Sequence, residues 1–317
     1  MEKRQLGRSG LTVVPLCLGG NVFGWTIDEP TSHRLLDAFV EQGFNFIDTA
    51  DSYSTWAPGN TGGESETIIG SWLKGRGDRD RLVIATKVGS EMGPGKKGLA
   101  PAYIRTAVED SLRRLRTDYI DLYQSHWDEP ETPFEDTLAA YQDLIDQGKV
   151  RAVGASNLGP ARLRAALEVG GKPGLARYES LQPEYNLFDR AGYEADLEGI
   201  CRENQLGVIS YYSLASGFLS GKYRSPEDAG KSPRGQGVVS KYLNDRGLAI
   251  LAALDEVAAR HDANPSQVAL AWLIARPGLT APIVSATSLE QLKDLTAAAR
   301  LILDRASIDR LDKASGG

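Results

Sequence analysis

The sequence is short of the residues that build disulfide frameworks and metal centres. It contains 2 cysteines, Cys17 and Cys201, and 3 histidines, His33, His126 and His261. Two cysteines make no disulfide framework, and neither residue type shows zinc-ligand spacing. The expectation is free buried thiols in a reducing compartment and no metal site. Basic residues are the minority, 36 Lys and Arg against 42 Asp and Glu, for a formal net charge of −6. No Lys/Arg cluster forms the basic face of a nucleic-acid binder, and "GPGKKG" (93–98) reads as a solvated loop. No stretch of about 18 apolar residues exists to span a membrane. The opening "MEKRQLGRSG" lacks the apolar segment of a secretory signal. These absences predict a cytoplasmic protein whose partner is a small molecule, with no nucleic acid and no membrane. A Gly-rich dinucleotide turn is also missing, since "CLGGN" is no GxGxxG. "GFLSGKY" (217–223) is one residue short of a P-loop and has no Ser or Thr after its Lys.

What is present is an alternation. Short runs rich in Val, Ile and Leu recur: "TVVPLCLGG" (12–20), "NFID" (45–48), "RLVIATKVG" (81–89), "YIDLYQSHW" (119–127), "KVRAVGASN" (149–157), "SLQPEYN" (180–186), "LGVISYYSL" (206–214) and "TAPIVSAT" (280–287). Runs apolar on both faces suit parallel strands covered by helices. Helical periods separate them. Leu35, Leu36, Phe39 and Val40 end at Gly43; Ile68, Ile69, Trp72 and Leu73 form one stripe; Ile104, Val108, Leu112 and Leu115 another. "TPFE" (132–135) reads as a capping box. Pro160 opens a further helix, and residues 193–205, 246–261, 265–276 and 288–300 have helical patterns. About eight β-α units predict one (β/α)₈ barrel domain across 1–317. An open doubly wound sheet is the rival, and it lacks its phosphate turn. "RQLGRSGLTVV" reads as an N-terminal hairpin, and residues 220–237 as a long polar loop after the seventh strand.

A barrel places its active site at the carboxyl ends of its strands. There the second strand ends in Asp48 with Tyr53 just beyond, the third in Lys87 and the fourth in His126. A free phenol has a pKa of about 10 and donates poorly at neutral pH. A neighbouring ammonium should lower it, and a carboxylate should keep that ammonium charged. An imidazole across the gap can hydrogen-bond a substrate oxygen. The set is an acid/base built for a carbonyl, with no Ser or Cys nucleophile beside a base.

"NFIDTADSY", "IATKVG", "DLYQSHW", "VGASN" and "SYYSLASGFLSGKY" together resemble the aldo-keto reductase family, in order and over nearly the whole chain. The resemblance implies a (β/α)₈ barrel that reduces aldehydes and ketones with a nicotinamide cofactor. It implies a tetrad of Asp48, Tyr53, Lys87 and His126, with Tyr53 the proton donor, Lys87 and Asp48 tuning it, and His126 orienting the carbonyl. Ser156, Asn157 and Gln182 match positions that hold the carboxamide, and Tyr211 the aromatic that stacks on the nicotinamide. Gly20 and Asn21 match the approach after the first strand. Tyr212, Ser213, Leu214, Ser216 and Lys222 match the segment along the pyrophosphate, and Ser285, Thr287 and Gln291 the C-terminal nucleotide turn. Ser288 stands where many relatives carry an Arg for the 2′-phosphate, and Leu295 where an adenine contact is usual. Arg234, in the long loop, could supply the missing charge. NADP(H) is the cofactor expected, with NAD(H) the alternative.

Trp25, Trp56 and Trp127 follow strands one, two and four and suit apolar, aromatic or sugar-ring substrates. No Arg or Lys beside the tetrad calls for a carboxylated one. Two other functions are consistent with such a chain: a cofactor-sensing regulatory module with weak turnover, and a barrel isomerase or aldolase using Lys87 as a Schiff base.

Overall fold

Pro15 divides the first apolar run into two strands with different partners. Thr12–Val13 (β2) pairs antiparallel with Arg4–Gln5 (β1), while Cys17–Gly19 (β3) enters the main sheet. The protein is described here by a computed structural model over residues 2–316. The sheet continues through Phe46–Asp48 (β4), Val83–Val88 (β5), Ile120–Ser125 (β6), Val150–Ser156 (β7), Tyr178–Gln182 (β8), Gly207–Ser210 (β9) and Leu279–Val284 (β10). All neighbours are parallel, and β10 pairs with both β9 and β3, so the eight strands close into a (β/α)₈ barrel.

The helices are Glu29–Glu41 (α1), Glu64–Leu73 (α2), Pro101–Leu115 (α3), Phe134–Asp146 (α4), Pro160–Val169 (α5), Ala191–Glu194 (α6), Leu197–Glu203 (α7), Gly235–Tyr242 (α8), Asp245–Arg260 (α9), Pro265–Ile274 (α10), Leu289–Ala297 (α11) and Arg305–Ser315 (α12). Their apolar stripes pack on the outside of the barrel. Leu35, Leu36 and Phe39 of α1, and Ile104, Val108 and Leu115 of α3, are among the side chains buried there. Two expectations need correction. Thr132 does not cap α4; its hydroxyl donates to Glu129, and Pro133 takes the cap position with no side-chain bond. The segment 220–237 is only partly loop, because a 3₁₀ turn at Pro226–Lys231 and the start of α8 organise it.

Inside the barrel the two-residue period of a strand sets a gradient. Cys17, Phe46, Ala85, Leu122, Ala152, Ile209 and Ala281 form an apolar floor. Leu6, Leu11 and Val13 of the hairpin pack beneath it and plug the amino end. Gly7, at φ 57°, lets that plug press home: a Cβ would overlap the Glu179 carbonyl and lie 2.7 Å from the Gly207 amide nitrogen. Two residues further up the same strands the interior turns polar, at Asp48, Lys87 and Gln124. Among the described residues no helix is long and apolar enough to cross a membrane.

Candidate active site

Three adjacent strands bring the site together. The registers set Asp48 beside Ala85 and Lys87 beside Gln124, with the side chains stepping around one end of the barrel. Lys87 is fully buried, and its ammonium has three acceptors. It donates to Asp48 Oδ2 at 2.6 Å, to the Thr49 carbonyl at 2.9 Å and to the Tyr53 hydroxyl at 2.9 Å. Tyr53 in turn donates to Asp48 Oδ2 at 3.2 Å. The other Asp48 oxygen accepts from Gln124 at 3.2 Å and Gln182 at 3.0 Å. A buried carboxylate is tolerable only when paired and bonded in this way.

The Tyr53 ring keeps some exposure while its hydroxyl is turned inward. Burial, and after it the Asp48 carboxylate, pushes the phenol well above its ordinary pKa. The direction is the reverse of the one expected, because desolvation of a phenolate at this depth and the Asp48 charge both favour the protonated form. His126 stands across the gap, its ring centroid 6.1 Å from that of Tyr53. Burial, and secondarily the Lys87 charge, pushes its imidazole well below the usual value, so the ring is neutral at pH 7. Its Nδ1 lies 3.0 Å from Ser90 Oγ.

The remaining sequence-selected residues fall in three groups. Asn157, at φ 57°, donates to the His126 carbonyl and to Ser156 Oγ, and accepts from the Tyr211 hydroxyl at 2.8 Å. Ser156 Oγ donates to the Gln182 carbonyl, so these four residues form one chain against the tetrad. Asn21 and Ser285 bond each other across β3 and β10, and a Cβ at Gly20 would strike Ser65 Oγ at 2.6 Å. Among the described residues, the third group makes no hydrogen bond to the tetrad. Ser213 is buried against Ser210, Leu214 is half-buried, and Thr287 bonds Gln291 at the exposed start of α11. Tyr212, Ser216 and Gly217 all take positive φ in a tight strap after β9. Lys222 lies across Gly217, where a Cβ would come within 3.3 Å of its Cε.

Aromatic side chains rim the mouth. Trp56 lies 6.0 Å from Tyr53 and edge-on to Trp25 at 5.7 Å, and Trp127 stacks on His126 at 5.6 Å. Arg234 also reaches this rim, its guanidinium 4.9 Å from the Trp25 ring. Among the described residues neither Arg234 nor Lys222 forms an ion pair, and burial lowers the Arg234 pKa.

Sequence reading passed over Gln124 and Ser90. Gln124 carried a signal, since it follows Leu122 at the inward parity of β6 and is the polar member of that face. Ser90 carried none, because it follows the strand off that parity.

The model of the Aldo/keto reductase family matches residues 15–315. An uncharacterized oxidoreductase, YrpG, of Bacillus subtilis (strain 168) is 34% identical over 96% of this chain and 93% of its own. L-glyceraldehyde 3-phosphate reductase of Escherichia coli O157:H7 is 31% identical over 93% of this chain and 86% of its own. A probable voltage-gated potassium channel subunit beta of Oryza sativa subsp. japonica is 31% identical over 92% and 89%.

Proposed function

This chain belongs to the aldo/keto reductase family, whose members are NAD(P)H-dependent oxidoreductases, and from that premise we propose that it reduces aldehydes or ketones to alcohols with NADP(H), Tyr53 giving the proton. It acts as one domain across 1–317, in the cytoplasm, on a small carbonyl compound. The observation that carries the reading is the Lys87 ammonium 2.9 Å from the Tyr53 hydroxyl, above a carboxylate that anchors both.

The phenol keeps its proton at neutral pH, so it is a donor in waiting. Its hydrogen turns from Asp48 to the substrate oxygen. As the proton leaves, the ammonium beside Oη stabilises the phenolate in a site of low dielectric. Asp48, fixed by Gln124 and Gln182, holds the ammonium in place and keeps it charged. Because all three Lys87 hydrogens are engaged, no lone pair is free to attack a carbonyl, which argues against the aldolase reading. His126, neutral, orients the carbonyl from the opposite side. Trp25, Trp56 and Trp127 favour an apolar or aromatic substrate body. The name of the L-glyceraldehyde 3-phosphate reductase relative supports aldehyde reduction as the class.

The residues present fit a phosphorylated nicotinamide cofactor. Lys222 and Arg234 are cations with no acidic partner among the described residues, and the strap of positive-φ residues after β9 gives close backbone approach. Lys222 and Arg234 would hold phosphate, with Tyr212, Ser213, Leu214 and Ser216 alongside and Gly20, Asn21, Ser285, Thr287 and Gln291 completing the groove. Ser156, Asn157 and Gln182 would hold the carboxamide, and Tyr211 would lie against the ring. When bound, the reduced nicotinamide supplies the hydride.

The test is titration of the protein with NADPH and NADH by fluorescence, followed by steady-state rates on a panel of aldehydes and ketones. Tyr53→Phe should keep cofactor affinity and lose at least about a hundredfold in kcat/KM. Near wild-type turnover in that variant would remove Tyr53 from the reaction. The likeness to a potassium channel subunit beta favours one second reading, a cofactor-sensing module with weak turnover. Single-turnover oxidation without a steady state would select it.

A further inference from the structure

Ser90 stands behind the imidazole of His126. It follows β5 by two residues, and its Oγ lies 3.0 Å from His126 Nδ1. The same oxygen accepts from the indole Nε1 of Trp127 at 3.2 Å. That indole is stacked on the imidazole, with ring planes 16° apart. The backbone beneath the ring is fixed at both ends: the His126 amide donates to the Val88 carbonyl at 2.8 Å, and its carbonyl accepts from Asn157 at 2.9 Å.

An indole N–H can only donate, so Trp127 takes one lone pair of Ser90 and leaves the hydroxyl proton unspent. Among the described residues, Nδ1 of His126 is the acceptor in reach of that proton. We propose that Ser90 is a positioning residue for the reaction. Its hydroxyl donates to Nδ1 and so holds the neutral ring in the tautomer that carries its proton on Nε2, the nitrogen left to donate to the substrate oxygen. This deepens the carbonyl-reductase reading and rests on it. The opposite tautomer would turn a nitrogen lone pair on the carbonyl oxygen and repel it. Burial, and after it the Lys87 charge, keeps the ring neutral, so the placement of its single proton matters. The relay also ties specificity to orientation. The wall indole and the orienting imidazole share one hydroxyl, so a substrate that displaces Trp127 loosens the hold on His126.

The test is histidine-selective ¹⁵N labelling of the whole protein with saturating NADP⁺, reading the two imidazole nitrogens of each ring. His126→Gln identifies the signals of His126 among those of the 3 histidines. The wild type should show Nδ1 unprotonated and Nε2 protonated. Ser90→Ala should lose that preference and lower kcat/KM for a nitrobenzaldehyde on the order of tenfold, chiefly in kcat, with NADPH affinity unchanged. Ser90→Thr, which keeps the hydroxyl, should restore both. A wild-type ring protonated on Nδ1 would overturn the proposal. So would a Ser90→Ala protein with unaltered tautomer, or with an altered tautomer and wild-type kcat. If the wild type reduces no carbonyl at all, the function proposed above fails, while the nitrogen spectra still decide the role of Ser90.

Discussion

Asp51 lies three residues beyond Asp48 and is buried, and among the described residues its carboxylate has no hydrogen-bond partner beyond a weak approach of the Ser52 backbone amide. Burial, and then the neighbouring Glu66, pushes its pKa to about 8, against the pull of Arg114, the Ser52 amide and Lys87. The consequence for stability has a definite sign. Below the unfolded value of about 4 the carboxyl is neutral in both states and adds nothing. Between about 4 and about 8 the unfolded chain releases the proton and the folded chain keeps it, so stability falls as pH rises. Above that window the full penalty is present. Asp51→Asn removes the titration, and should stabilise the protein by a few kcal/mol at about pH 9 while changing it little at about pH 4. Urea unfolding of both proteins at the two values checks this, and parallel pH dependence would show that Asp51 is solvated or paired in solution.

On the proposed reading, the start of α11 is where an element decides cofactor choice. Ser288 is its N-cap, its hydroxyl accepting from the Gln291 amide at 3.2 Å, and Gln291 reaches back to Thr287. A serine there closes the helix but offers no bidentate grip on a phosphate. Ser288→Arg should therefore do two opposed things. It should raise the NADPH over NADH affinity ratio by about tenfold, roughly 1.4 kcal/mol. It should also cost about 1 kcal/mol of stability through the lost cap. Fluorescence titration and a melting curve read the two effects separately. An unchanged affinity ratio would leave the phosphate to Arg234 and Lys222.

At the scale of the whole molecule, the barrel is stoppered at one end and open to chemistry at the other. Leu6 is fully buried in the hairpin plug, against the apolar floor. Leu6→Ala should cost about 2–5 kcal/mol of unfolding free energy, by lost burial plus the cavity left behind. The tetrad lies at the opposite end of the strands, so kcat/KM at room temperature should stay at the wild-type level. Urea unfolding alongside steady-state kinetics checks both halves. A matching fall in kcat/KM would mean that the floor transmits strain to the site.

Much of this was legible from residue order alone. Strand runs apolar on both faces, separated by periodic helices, dictated the closed parallel barrel, because a buried strand and an amphipathic helix each have few ways to hide their apolar surface. Asp48, Lys87 and His126 stood out because a polar residue at the end of such a run has no structural need to be there. What the residue order left open depends on distances between segments far apart in the chain. It could not show that α8 and α12 form, or that Thr132 would bond Glu129 rather than cap a helix. Nor could it show that depth would push the Tyr53 phenol up rather than down, since desolvation and charge oppose each other and only their three-dimensional placement decides the balance. Ser90 is the plainest instance: off the inward parity of its strand, it acquires a role only when the fold carries His126 and Trp127 to the same hydroxyl.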